Sequence, residues 1–136
     1  MFRYSQVCYS HSMLSGRKED LPDPASFLPL PRDTFQILVS LADRERHGYS
    51  ILLDIADRTA GLHRLSASTL YSSIKRLLES GLIEELDERP DPESDDERRR
   101  YYRLTNLGRS VASLEARRLE RLLRDARSSG LLPKRT

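Results

Sequence analysis

The chain has 136 residues, 38% of them hydrophobic, with no Trp, three Phe and a single cysteine, Cys8. That length suits one domain with appendages and leaves no room for a large cleft between two lobes, and one cysteine excludes an intramolecular disulfide. The formal net charge of +2 is unevenly spread: residues 1–32 carry +1, 33–86 carry −2, 87–97 carry −6 and 98–136 carry +9. One acidic projection is thus set against a basic region able to follow phosphates, although solvated helix charge also explains many of the C-terminal arginines.

Residues 1–30 lack helical or strand periodicity and include Pro22, Pro24 and Pro29, which predicts a loose N-terminal extension. No signal-like apolar core opens the chain, and no apolar run approaches the ~20 residues of a membrane span. The expectation is a cytoplasmic protein with no membrane partner. Asp33 is a candidate cap for a first helix, in which Phe35, Leu38, Leu41 and Ala42 recur at helical spacing and which should end near 43–45. Arg46-His47-Gly48-Tyr49 reads as a corner. Gly48 lets the chain turn tightly, His47 caps or packs the corner, and Tyr49, Leu52, Leu53, Ala56 and Ala60 are expected to face inward on a second helix. His11, His47 and His63 share no metal-ligating spacing, so no metal site is expected.

The stretch 66–81, SASTLYSSIKRLLESG, organises the rest. Leu70, Ile74, Leu77 and Leu78 form one helical stripe, and the opposite face carries Ser68, Thr69, Ser72, Lys75, Arg76 and Glu79. Ser66 can cap the helix and Gly81 can supply its left-handed stop. Short hydroxyls near the N-terminus with cations behind them suit a major groove, because the duplex can approach closely there. Taken alone, these residues equally describe an ordinary amphipathic surface helix.

Residues 82–86 read as a strand, the acidic, proline-containing 87–97 as a hairpin tip, and 98–104 as a returning strand. On that strand Arg99, Tyr101 and Arg103 share one face while Arg100, Tyr102 and Leu104 share the other. Thr105 can cap a final helix reaching about residue 128, with Gly108 in its first turn suited to close packing. Ala112, Ala116, Leu119, Leu123 and Ala126 form a heptad seam on it, and Leu107, Val111 and Leu114 face the domain. A small monomer cannot cover both faces, so a homodimer is expected. The predicted fold is mainly α with a small β-hairpin: a loose extension at 1–30, a winged helix-turn-helix domain at 31–104 and a C-terminal dimerisation helix at 105–130.

Several elements occur together in a recognisable order: Ile37-Leu38 through Leu41, His47-Gly48-Tyr49, Ser68-Thr69-Leu70-Tyr71, Lys75-Arg76-Leu77, Gly81-Leu82-Ile83, and Arg99-Arg100-Tyr101-Tyr102-Arg103-Leu104-Thr105 with Gly108-Arg109. Over residues 31–110 the chain resembles the PadR family of bacterial winged-helix transcriptional regulators, in a short form with a single C-terminal helix. The resemblance implies a dimer joined through C-terminal helices, with double-stranded DNA read by the helix at 66–80. The leading expectation is a dimeric, sequence-specific DNA-binding regulator of the repressor type. The expected DNA-binding residues are Ser68, Thr69, Tyr71, Ser72, Lys75, Arg76, Arg98, Arg99 and Arg100. Any effector pocket at the dimer interface should be small, its ligand unidentified. The acidic tip departs from the family, whose wings more often carry Gly and basic residues, since phosphates would repel it. A winged helix that binds protein instead of DNA is the alternative. With no Gly-rich phosphate loop and no recognisable Ser/His/Asp set, neither catalysis nor a cofactor is expected.

Overall fold

The computed structural model of the protein describes residues 22–86 and 100–135. Helix α1 (Arg32–Ala42) starts directly after Pro31, with no side-chain cap. The expected cap at Asp33 is not formed. Asp33 lies in the first turn, where a carboxylate complements the helix dipole, and its Oδ1 is 2.7 Å from His63 Nε2. Ile37, Leu38 and Leu41 are buried on this helix, while Ala42 of the expected stripe is exposed.

A two-residue strand, β1 (Arg46–His47), leads into α2 (Gly48–Arg58). His47 caps α2 as expected, its Nδ1 accepting from the Ser50 N–H at 3.2 Å. The buried face of α2 matches the expected one only in part: Leu52 packs on the core as expected, but Ile51 and Ile55 are the fully buried residues, whereas Tyr49 and Leu53 are half-exposed and Ala60 is exposed. Apolar residues lie on two sides of this helix, so periodicity alone does not choose between them. A polar node ties α2 to α1. Asp54 Oδ2 accepts from Ser40 Oγ and from Arg58 Nε, both at 2.8 Å, and Arg46 reaches Asp54 Oδ1 at 3.3 Å. Burial pushes the Asp54 carboxyl up, but the hydrogen bonds from Arg58 and Ser40 and the charges of Arg46 and Arg58 outweigh it and hold it below the usual range.

The remaining elements are α3 (Ala67–Glu79), β2 (Ile83–Glu85), β3 (Tyr101–Leu104) and α4 (Asn106–Ser128). β2 and β3 pair antiparallel, with Ile83 opposite Leu104 and Glu84 opposite Arg103, and Arg103 Nε lies 2.7 Å from Glu84 Oε2. As alternation requires, Ile83 and Tyr102 are buried while Arg103 stays outside. β1 also pairs with β3, which gives a three-stranded sheet in the order β1-β3-β2 where the sequence suggested a simple hairpin. The core joins Ile37, Leu38, Ile51, Ile55, Leu70, Ile74, Leu77, Leu82, Ile83, Tyr102 and Val111 across all four helices and the sheet. Three helices and an antiparallel wing around one core make a winged-helix fold.

Thr105 caps α4 as expected: its Oγ1 accepts from the Gly108 N–H at 3.0 Å and donates to the Gly81 carbonyl at 2.6 Å. Gly108 packs on the Leu82 carbonyl so closely that a Cβ there would collide with it. The extension is not loose up to residue 30. Pro24–Phe27 form a 3-10 turn capped by Asp23, and Phe27, Leu28 and Leu30 pack against the core. The prolines erase periodicity, but the apolar side chains between them still supply area to bury. Residues 1–21 and the acidic 87–97 lie outside the described residues.

Glu115 of α4, only 2% exposed, anchors this N-terminal arm. It accepts two hydrogen bonds from Arg118, at 2.7 and 2.9 Å, and one from the Leu30 N–H at 3.3 Å. The Arg118 hydrogen bond dominates, outweighs burial and holds the Glu115 carboxyl below its ordinary range. Its contribution to stability is therefore complete above about pH 5 and lost as the pH falls through the lowered folded-state pKa. Glu115→Gln should cost about 1–3 kcal/mol at neutral pH, because Arg118 loses its anionic partner. The difference between the two proteins should shrink on acidification, which denaturant melts at neutral and acidic pH measure.

Candidate nucleic-acid interface

Helix α3 is held from behind and bare in front. Leu70, Ile74 and Leu77 sink into the core, Leu78 is half-buried against it, and Gly81 has a φ of +80° at the turn that stops the helix. Ser66 caps the N-terminus, its Oγ accepting from the Thr69 N–H at 3.1 Å. The opposite face exposes Ser68, Tyr71, Ser72, Lys75 and Arg76. Three consecutive turns of α3 thus present small hydroxyls, a phenol and two cations on one side.

Thr69, expected with that set, is drawn into the cap. It is half-buried, and its Oγ1 accepts from Ser66 Oγ at 3.0 Å. The Ser68 hydroxyl lies 3.3 Å from Ser66 Oγ, and the Ser72 hydroxyl donates to the Thr69 carbonyl at 3.1 Å. Each serine oxygen keeps a lone pair for an outside donor. Arg76 reaches back to Ser73 Oγ at 3.4 Å, which holds its guanidinium along the helix.

Arg100 enters β3 at the root of the wing, largely exposed, with Glu85 3.8 Å away across the hairpin. Arg98 and Arg99 fall outside the described residues. Two further residues stand exposed: Arg64, two residues before the α3 cap, which the sequence does not single out, and Tyr49 at the start of α2, which is expected to face inward. Tyr49 carried no usable signal, because helical spacing placed it inward.

On α4 the expected dimerisation seam divides. Ala112 packs against the core of its own chain, so the domain already uses it. Ala116 and Leu123 are exposed, and Leu119 and Ala126 are half-buried. Leu122, absent from the expected seam, stands half-exposed beside Leu123. The expected packing set also divides, with Val111 fully buried and Leu107 against the core, while Leu114 is half-buried outside the cluster. Among the described residues no group of His, Cys, Asp or Glu is arranged to hold a metal ion, and no helix is long and apolar enough to cross a membrane.

Solved structures share this arrangement. A transcriptional regulator from Clostridium thermocellum, Cth-833, is 26% identical, with a TM-score of 0.59 over 70% of this chain and 86% of that one. A PadR family transcription regulator from Clostridium difficile R20291 is 24% identical, with a TM-score of 0.57 over 73% of this chain and 97% of that one. Bacillus subtilis PadR, solved in complex with operator DNA, is 22% identical, with a TM-score of 0.53 over 62% of this chain and 46% of that one. An uncharacterized protein of Lysinibacillus sphaericus is 34% identical over 77 residues, 57% of this chain and 68% of its own. The model of the transcriptional regulator PadR-like family matches residues 37–114, from the middle of α1 into α4, and so takes in α3, its cap and the root of the wing. With more than half of its length matched, the chain belongs to the PadR-like family of transcriptional regulators.

Proposed function

We propose that the protein is a sequence-specific DNA-binding repressor that acts as a homodimer in the cytoplasm. The observation that carries this reading is the bare face of α3: Ser68, Tyr71, Ser72, Lys75 and Arg76 stand exposed on a capped helix whose other side is locked into the core. Such a helix fits a major groove about 12 Å wide, where hydroxyls reach base edges and longer cations reach guanine or phosphate. Arg100 at the wing root supplies a phosphate contact beside it, and Arg98 and Arg99 are proposed to share that task. The half-exposed Leu122 and Leu123 on α4 favour a second copy, which would hold two α3 helices at a fixed spacing over a two-fold site. Repression follows from occupancy, since a dimer seated on a promoter blocks polymerase sterically. The operator-bound state of Bacillus subtilis PadR supports the reading by shared fold.

The test is competition binding. A duplex obtained by repeated selection from a random-sequence pool is titrated with the protein at two salt concentrations, against a scrambled duplex of the same composition. Preference for the selected duplex that persists at the higher salt is expected. Failure to enrich any sequence, or equal affinity for both duplexes, would favour a winged helix that binds protein.

A further inference from the structure

Gly48 opens α2 and is buried although it lies at a surface corner. What covers it is Tyr71 of α3. A Cβ added to Gly48 would lie 2.5 Å from Tyr71 Oη, 2.9 Å from Cζ and 3.0 Å from Cε1. Gly48 does not adopt a positive φ, so the backbone there makes no demand for glycine. The space does.

Tyr71 is itself 51% exposed and sits on α3 one turn from both Ser68 and Lys75, on the flank of the reading face. One half-exposed ring thus joins the recognition helix to the corner of α2.

Resting on the reading of α3 given above, we propose that Gly48 is a positioning residue for DNA recognition: its missing side chain leaves the space that seats Tyr71, and this seat fixes where the phenol stands beside Ser68 and Lys75. The contact is unusual in what it does not stabilise. The obstacle to a methyl group at position 48 is the far end of a side chain that can swing into solvent, not backbone. Alanine is also a better helix former than glycine. Gly48→Ala should therefore leave the fold as stable as before, or more so, while displacing Tyr71 toward the reading face. Stability and recognition part company, which a merely structural glycine would not produce.

The experiment is a double-mutant cycle of Gly48→Ala and Tyr71→Ala, with Lys75→Ala beside it. Thermal melts and affinities for the selected and scrambled duplexes are measured for each protein. Gly48→Ala is expected to melt no lower than the parent and to bind the selected duplex about tenfold more weakly, with a much smaller loss on the scrambled one. Once Tyr71→Ala has vacated the seat, adding Gly48→Ala should weaken binding no further, a strong departure from additivity. Parent-like binding by Gly48→Ala, or losses that simply add, would overturn the proposal while a loss in Lys75→Ala leaves the role of α3 standing. Parent-like binding by Lys75→Ala and Tyr71→Ala together would remove α3 from the interface altogether. If Gly48→Ala alone fails to fold, the double variant should fold, because the obstacle is gone; its failure to do so would equally overturn the proposal.

Discussion

Leu123→Asp is expected to leave the protein folded and to make it monomeric. Leu123 is 52% exposed in the single chain, and neither it nor its neighbours Leu119 and Leu122 belong to the core or to the side chains packed on it. A charge there costs the monomer little. At a two-fold seam of α4 helices the same Asp would meet its counterpart inside an apolar contact, and two desolvated carboxylates cannot be accommodated. DNA affinity should fall with dimerisation, by about a hundredfold or more, because a linked second half-site is worth that much in effective concentration. Sedimentation reads the mass and a thermal melt reads the fold. A variant that stays dimeric would take this part of α4 out of the interface.

Gly108→Ala should be the most damaging small substitution in the domain. Its Cβ would be driven into the Leu82 carbonyl oxygen. That oxygen cannot retreat freely, because it accepts the Thr105 N–H at 3.1 Å, while Thr105 is tied by its hydroxyl to Gly81. The clash therefore falls on backbone at the point where α4, the α3 stop and β2 meet. Overpacking of this kind costs about 3 kcal/mol, a large share of the 5–15 kcal/mol that typically holds a domain together. The midpoint of denaturant unfolding reports it. A loss below about 1 kcal/mol would mean that α4 does not start against the Leu82 turn.

How readily each element could be read depended on how many answers its residues allowed. α3 has one apolar stripe, one hydroxyl cap and one left-handed stop, and the structure reproduces all three. His47 and Thr105 each offer one side chain at one helix start, and both cap as expected. α2 has two apolar sides, and only the tertiary packing selects Ile51 and Ile55 over Tyr49 and Leu53. β1 is too short to show alternation, and exists because β3 offers it a partner. The packing of Phe27, Leu28 and Leu30 is equally non-local, since the surface that receives them includes α4 at the far end of the chain. Within the site, Ser68, Tyr71, Ser72, Lys75 and Arg76 were legible as a face. The diversion of Thr69 into the cap was not, because either role suits a threonine there. Gly48 shows the same ambiguity: a turn glycine and a close-approach glycine look alike until the ring that fills the space is located.

On the proposed reading, the first half of α3 reads bases while the wing root follows phosphate. The most direct measurement of it is a salt titration of binding for Ser68→Ala, Ser72→Ala and Arg100→Ala, each on the selected and the scrambled duplex. Both serines are exposed on the bare face, and Arg100 stands largely exposed at the start of β3. The serine variants should lose about 1–3 kcal/mol on the selected duplex alone, with an unchanged slope of log affinity against log salt. Arg100→Ala should weaken both duplexes alike and flatten the slope by about one. Equal losses on the two duplexes for the serine variants would contradict the account, since α3 would then position the protein and some other element would read the sequence.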